Sequence, residues 1–208
     1  LMAVQVINTW LLSRWAKPVV WLLALAPVIW LVVATVTDNL GANPAEALIR
    51  STGDWALRGL CIALAVTPLR QLSGWNALAR FRRLLGLFAF FYVLLHAISF
   101  FGLDMGWSLA ATWDDIAQRP FILVGVLAAV ILLSLALTSP RWVLRAMGGK
   151  RWQRLHQGVH LAAWLALLHF YWMRDAKNNT AEVWIYAAIV LLLQGWRVYQ
   201  RLALSRRL

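Results

Sequence analysis

The 208-residue sequence contains one cysteine, eight acidic residues and four histidines. With Cys61 alone, the chain has neither an intramolecular disulfide nor the thiolate ligands of an iron–sulfur cluster. Charged residues make up 13% and hydrophobic residues 62% of the sequence, which excludes an ordinary soluble domain. The net charge of +12 does not indicate nucleic acid binding here, because the basic residues form short clusters between apolar runs. Such clusters indicate membrane topology and contacts with lipid head groups.

Six apolar segments predict membrane-spanning helices. The hydrocarbon core is about 30 Å thick, so a helix needs roughly 20 apolar residues to cross it. The segments cover residues 18–36, 55–69, 84–103, 121–139, 155–173 and 183–196. Segment 55–69, which contains Arg58, and segment 183–196 are the weakest of the six. We therefore predict an all-α fold, with residues 1–208 forming a single domain that is a six-helix transmembrane bundle.

The charged residues predict the orientation of this bundle. Most of the 20 basic residues fall on one side of a six-span arrangement: Arg14, Lys17, Arg70, Arg80, Arg82, Arg83, Arg141, Arg145, Lys150, Arg151, Arg154, Arg197, Arg201, Arg206 and Arg207. All eight acids fall on the other: Asp38, Glu46, Asp54, Asp104, Asp114, Asp115, Asp175 and Glu182. By the positive-inside rule, the basic side and both termini are cytoplasmic.

Two segments are predicted to lie outside the hydrocarbon, on the side of the acids. Residues 40–54 contain turn residues and predict a loop, while residues 106–118 mix tryptophans with acids, as an interfacial amphipathic segment does. Either segment could dock a partner at the outer surface. Alternatively, both are connectors that lie on the lipid head groups.

The four histidines are the main candidates for chemistry, because ionisable groups inside membrane spans are costly and usually functional. His96 lies in the third predicted span, and His156, His160 and His169 lie in the fifth. The clear spans contain no carboxylate, so a hydrolytic metal site lacks ligands. Neutral imidazoles on facing helices can instead bind a haem iron axially, one from each side. The pattern therefore predicts a haem-bearing electron carrier.

Depth along the helices predicts which residues share a haem. Both histidine-bearing spans run outward from the cytoplasm, so His96 and His169 reach a similar outer depth and could share one haem. His156 lies roughly 20 Å further in than His169. Arg82 precedes His96 by about four helical turns, so it lies at the depth of His156. An inner site would then place a histidine opposite an arginine, which either ligates the iron or, as its permanent charge favours, pairs with a haem propionate or a lipid phosphate.

Other interpretations of these residues stay open. Arg83 and His160 are predicted as further cofactor contacts, but each histidine could simply hydrogen-bond a neighbouring helix. The basic clusters could be orientation signals rather than sites for flavin or quinone. On one ideal helix, His156 and His169 would lie about 140° apart, so a shared face needs local tightening or tilt.

Several motifs together resemble a known family. They are residues 40–44 (LGANP), 52–53 (TG), 67–69 (TPL), 82–87 (RRLLGL), 95–96 (LH), 137–139 (LTS), 151–156 (RWQRLH) and 169–171 (HFY). The chain resembles the ferric-reductase-like transmembrane domain over nearly its whole length. Within that superfamily it is most similar to the MsrQ family, the haem-binding membrane subunits of bacterial methionine sulfoxide reductase systems.

The resemblance implies a multi-pass protein of the bacterial cytoplasmic (inner) membrane that binds one or two b-type haems and FMN. Such a subunit passes electrons from the quinone pool or a cytosolic flavin reductase to MsrP, a periplasmic molybdenum enzyme that repairs oxidised proteins. The family's haem ligands fall on His96, His156 and His169. Relatives with two bis-histidine haems have histidine where this chain has Arg82. No nucleotide-binding domain follows the last predicted span, so the resemblance implies a separate electron donor.

This interpretation assigns the catalytic step to the partner and not to the chain itself. Two other functions remain open. A metalloreductase of the same superfamily would reduce an external ion at the outer haem without a partner. A transporter or structural membrane protein would use its histidines as interhelical hydrogen-bonding groups or as a proton path, and would be colourless when purified.

Overall fold

The computed structural model describes residues 2–175 and 178–205, and throughout them the regular structure is helical, without a β-strand. This confirms the all-α prediction. The α-helices are α1 Met2–Leu12, α2 Ala16–Val36, α3 Pro44–Ser73, α4 Arg82–Ser99, α5 Leu109–Gln118, α6 Pro120–Leu137, α7 Arg141–Met147, α8 Gly149–His156, α9 Gly158–Asp175 and α10 Ala181–Ser205. A short 3₁₀ helix, Asn76–Phe81, precedes α4, and a π-helical turn, Phe100–Asp104, follows it. Arg206 and Arg207 of the last basic cluster lie outside the described residues.

Four helices among the described residues are long and apolar enough to cross a bilayer. They are Ala16–Val36, Asn76–Asp104, Pro120–Leu137 and Ala181–Ala203. They coincide with the first, third, fourth and sixth predicted spans, which supports a multi-pass membrane protein. Helices α3 and α9 lie at the second and fifth predicted spans, and the count of six stays a prediction.

The chain forms two compact units, Leu1–Ser108 (unit 1) and Leu109–Leu208 (unit 2). In unit 1, α3 and α4 pack antiparallel, with Ile49 near the start of α3 next to His96 near the end of α4. Halfway along, a Cβ at Gly59 would lie 3.1 Å from the Cα of Ala89. Glycine at this position therefore permits the close approach of the two helices.

Helix α3 begins at Pro44, so the prediction of a loop over residues 40–54 is wrong for most of that segment. The side chain of Asn43 accepts a hydrogen bond from the Glu46 backbone N–H at 3.2 Å, and Pro44 occupies the first helical position. Both are helix-start signals, and they outweigh the low hydrophobicity of this segment. Helix α3 therefore begins before the predicted second span, and Gly53 lies within the helix.

In unit 2, α6 and α9 form a second antiparallel pair. Phe121 near the start of α6 contacts His169 near the end of α9, and Ile131 lies against Gly158 at the start of α9. Helix α10 is joined to α9 by an ion pair between Arg174 and Glu182, with 3.2 Å between Nη2 and Oε2. Helix α5 occupies most of the predicted amphipathic segment 106–118, and its position at the membrane interface stays a prediction.

The predicted fifth span, residues 155–173, is interrupted near its N-terminal end. Helix α8 ends at His156 and α9 begins at Gly158, with Gln157 between them. His156 and His169 therefore do not lie on one continuous helix, and the ideal angle of about 140° between them does not apply. Each histidine is held by its own helix.

Candidate functional site

His96 is held by a backbone carbonyl of the neighbouring helix in unit 1. Its Nδ1 lies 2.8 Å from the carbonyl oxygen of Ile49 on α3. Because a carbonyl oxygen can only accept, the proton is assigned to Nδ1, which donates. In the neutral ring this assignment leaves the lone pair on Nε2, the tautomer of a histidine that binds metal through Nε2.

Gly53 makes this contact possible. A Cβ at Gly53 would lie 3.1 Å from both Nδ1 and Cε1 of His96. In an α-helix the N–H of residue 53 bonds to the carbonyl of residue 49, so a side chain at 53 would stand beside that carbonyl. Thr52, also buried, donates its hydroxyl to the Leu48 carbonyl at 2.7 Å and lies 3.0 Å from the Ile49 oxygen. We call Ile49, Thr52 and Gly53 the unit 1 seat.

His169 is held in the same way in unit 2. Its Nδ1 lies 2.7 Å from the carbonyl oxygen of Phe121 on α6 and donates to it. A Cβ at Gly125 would lie 2.8 Å from that Nδ1 and 2.9 Å from Cε1. The Phe121 ring adds a tilted aromatic contact, with the two ring centroids 6.0 Å apart. We call Phe121, Val124 and Gly125 the unit 2 seat.

The two seats have the same construction. In both, a carbonyl oxygen accepts from Nδ1 of a histidine on the antiparallel partner helix, and a glycine follows four residues later. The helix that carries each seat begins with proline, at Pro44 and at Pro120. The two five-residue segments, IRSTG and FILVG, share only their glycine. Sequence reasoning missed both seats, since their acceptors are backbone atoms; the available signal was Gly125, a glycine inside a predicted span.

His156 has a different environment. Its Nε2 lies 3.0 Å from the Thr138 hydroxyl, and its ring stacks on Trp152 with centroids 3.8 Å apart. The Thr138 hydroxyl lies 2.7 Å from the Ser134 carbonyl, to which it donates, so His156 Nε2–H is the donor to Thr138. Trp152 Nε1 donates to the Thr138 carbonyl at 2.8 Å. We call Thr138 and Trp152 the threonine seat; it gives His156 the opposite tautomer, with the lone pair of the neutral ring on Nδ1.

The remaining predicted site residues lie on the same helices as expected. His160 on α9 meets Arg197 on α10, whose Nη1 donates to His160 Nε2 at 3.0 Å. This contact is the interhelical hydrogen bond that the alternative interpretation of His160 predicts. A role of His160 as a cofactor contact stays a prediction. Arg82 and Arg83 are exposed at the start of α4, the helix that carries His96.

The donor set suits a haem better than a bare metal ion. Within the described ranges, no three His, Cys, Asp or Glu side chains are grouped to hold a metal ion. A haem iron requires only one axial side chain on each face, since the macrocycle supplies the other four ligands. An imidazole with Nδ1 bonded to a carbonyl has the tautomer of such a ligand, and His96 and His169, both half-buried, each have this bond.

Comparisons with known proteins agree with this chemistry. Residues 52–168 match the family described as ferric reductase like transmembrane component. The matched stretch contains Gly53, His96, Gly125 and His156 and ends one residue before His169. No solved structure matches the chain.

Curated relatives cover nearly the whole chain, and those described here carry the name protein-methionine-sulfoxide reductase heme-binding subunit MsrQ. The relative from Polaromonas naphthalenivorans is 58% identical over 95% of this chain and 90% of its own. The relative from Ralstonia nicotianae is 49% identical over 89% and 86%. The relative from Herminiimonas arsenicoxydans is 46% identical over 88% and 84%. The chain therefore belongs to the ferric reductase-like transmembrane components and, within them, to the MsrQ family.

Proposed function

We propose that this protein is the transmembrane electron-transfer subunit of a methionine sulfoxide reductase system. It binds b-type haem through His96 and His169 and delivers electrons to a periplasmic MsrP-like molybdenum enzyme. That partner reduces methionine sulfoxide in oxidised proteins, so the chain makes and breaks no substrate bond itself. The names of the curated relatives, each a haem-binding subunit of such a reductase, support the assignment.

The observation that carries the proposal is the pair of carbonyl seats. Each unit fixes one imidazole with its proton on Nδ1, through bonds of 2.8 Å at His96 and 2.7 Å at His169. Axial ligands of iron need this arrangement, because the coordinating nitrogen must carry the lone pair and the other N–H needs an acceptor.

The chain's own residues would hold and tune the group. The bound haem would supply one-electron exchange. His96 and His169 would hold the iron, and the carbonyls of Ile49 and Phe121 would raise the basicity of these ligands. The apolar helices around each histidine limit access of water, which also affects the reduction potential.

The membrane arrangement belongs to the same proposal. We place six spans in the bacterial inner membrane, with both termini in the cytoplasm and residues 1–208 as one haem-binding domain. Electrons would enter near Arg82 and His156, from membrane quinol or a cytosolic flavin reductase. His156 would ligate a second, inner haem through Nδ1, the nitrogen that keeps its lone pair when Nε2–H donates to Thr138. FMN is the flavin that the family resemblance implies.

Haem content of purified variants tests the ligand assignment. His96→Ala and His169→Ala should each lose nearly all of the haem that the two residues hold, because imidazole is the only strong axial donor at each seat. The measurements are the Soret absorbance and the ratio of haem to protein. Thr35→Ala is the control, since it removes a side-chain hydrogen bond to Leu31 within α2 without contact to a histidine.

Three outcomes would contradict the proposal. Near-full haem in both histidine variants would refute the ligand assignment. A colourless wild-type protein would favour a transporter or structural role. Rapid reduction of ferric chelates by the reduced protein alone, together with slow oxidation by an MsrP-like enzyme and methionine sulfoxide, would favour a metalloreductase. A wild-type ratio near one or near two would also give the number of haems.

A further inference from the structure

We infer that Gly53 and Gly125 are positioning residues that hold His96 and His169 in the state able to bind iron. The inference rests on the proposed haem-binding function and concerns how the ligands are prepared. Neither glycine would touch the iron. Each would act through a histidine, because a residue without a side chain leaves room for the hydrogen bond from the histidine Nδ1–H to a backbone carbonyl.

The steric argument comes from the space around each glycine. A Cβ at Gly53 would lie 3.1 Å from the His96 ring, and one at Gly125 would lie 2.8 Å from the His169 ring. Contacts this short require the ring to move. Because each ring is held through the carbonyl one helical turn earlier, a displaced ring would lengthen or lose that hydrogen bond. The first effect of a methyl group at either glycine is therefore a change in the orientation of the histidine ring.

The electrostatic argument concerns the carbonyl. A hydrogen bond from Nδ1–H to a carbonyl raises the basicity of the coordinating nitrogen. A more basic ligand stabilises ferric over ferrous iron, so this bond lowers the reduction potential. Weakening the bond at either seat should raise the potential, and strengthening it should lower the potential.

Thr52 makes the two seats unequal. Its single hydroxyl proton is shared between the Leu48 carbonyl, at 2.7 Å, and the Ile49 carbonyl, at 3.0 Å, which is the oxygen that also accepts from His96. A second donor at the same oxygen weakens the bond to the histidine. The corresponding residue in unit 2 is Val124, which has no hydroxyl. The Phe121 carbonyl therefore has no such competitor from that position.

The glycine variants give the first test. In haem-loaded protein, Gly53→Ala and Gly125→Ala should weaken haem retention by about tenfold to hundredfold, the usual effect of losing a hydrogen-bond partner of a metal ligand. Both should raise the reduction potential. The measurements are haem transfer to excess apomyoglobin and a spectroscopic redox titration.

Each glycine variant has a matched control in the same helix pair. A Cβ at Gly59 would lie 3.1 Å from Ala89, so Gly59→Ala strains the α3 and α4 pair without contact to His96. A Cβ at Gly158 would lie 3.3 Å from Ile131, so Gly158→Ala does the same for α6 and α9. Both controls should keep the wild-type potential. Equal shifts in the glycine variants and their controls would overturn the inference.

A reciprocal exchange gives a second test that does not depend on inserting a methyl group into a tight contact. Thr52→Val removes the competing hydroxyl with little change in shape and should lower the potential. Val124→Thr adds a hydroxyl that can reach the Phe121 carbonyl, since threonine in a helix bonds to carbonyls three or four residues earlier, and should raise it. Shifts of opposite sign support the inference. Shifts of the same sign, or none, refute it.

These results remain separate from the test of the proposed function. If His96→Ala and His169→Ala retain haem, the ligand assignment itself fails. If they lose haem while the glycine variants behave as their controls do and the Thr52 and Val124 exchanges shift the potential in the same direction or not at all, only the positioning role fails.

Discussion

His96 and His169 rest on backbone carbonyls, whereas His156 rests on a side-chain hydroxyl. A carbonyl accepts only, so it fixes the proton on Nδ1. The Thr138 hydroxyl already donates to Ser134, so it accepts from His156 at Nε2 and fixes the opposite tautomer. The chemical type of the acceptor therefore decides which nitrogen keeps the lone pair. Three histidines that are all predicted as haem ligands therefore occupy two kinds of site.

The largest expected difference between the two kinds of site is in haem content. His156→Ala should lower the ratio of haem to protein by no more than half, because neither carbonyl seat includes His156. The absorbance spectrum of the haem that we propose for His96 and His169 should stay unchanged. A pyridine haemochrome assay with reduced-minus-oxidised spectra measures both quantities. Loss of colour as complete as in His169→Ala would show that His156 and the carbonyl seats hold one and the same haem.

A smaller effect is expected from the threonine itself. Thr138→Val removes the acceptor for His156 but keeps the backbone carbonyl that receives the Trp152 indole N–H. Polar bonds between membrane helices contribute about 0.6–1.7 kcal/mol, which corresponds to roughly a threefold to twentyfold loss of affinity. We expect that loss for the haem fraction that depends on His156, measured by its rate of transfer to apomyoglobin.

Thr138→Ser is the control for this variant, because it retains the hydroxyl and should restore most of the affinity. If Thr138→Val binds haem as tightly as the wild type, the threonine seat does not orient His156. A gain in affinity would mean that the bond to Thr138 competes with iron for His156. The threonine seat would then weaken haem binding, whereas the carbonyl seats strengthen it.

The apolar runs of the sequence predicted much of the fold, because insertion into hydrocarbon depends on composition over roughly 20 residues. Helices α2 and α6 match their predicted spans to within a few residues. The start of α3 was missed because it depends on capping by Asn43 and Pro44 rather than on hydrophobicity. The interruption at Gln157 was missed for a similar reason, since a local break changes the hydropathy of a window very little.

The candidate site was predictable only in part. The histidines stood out because ionisable residues are rare in membrane spans. Their acceptors did not, since every residue has a carbonyl and the sequence does not say which one faces a histidine. Gly53 lies in the predicted loop 40–54, and Gly125 is a single small residue within the predicted span 121–139. Antiparallel packing within each unit gives both glycines their role, and packing partners are not readable from one sequence.

The smallest expected effect tests whether any side-chain bond to a carbonyl in unit 1 would influence haem. Tyr92 lies one helical turn before His96 on α4, and its hydroxyl donates to the Ala24 carbonyl at 2.6 Å. Tyr92→Phe should lower the free energy of unfolding by about 1 kcal/mol, the usual net value of one hydrogen bond. Haem content and reduction potential should stay unchanged, because the variant leaves Ile49, Gly53 and His96 intact. Thermal unfolding in detergent and a redox titration measure the two quantities. A potential shift as large as that of Gly53→Ala would mean that general loosening of α4, and not the acceptor of His96, sets the properties of the haem.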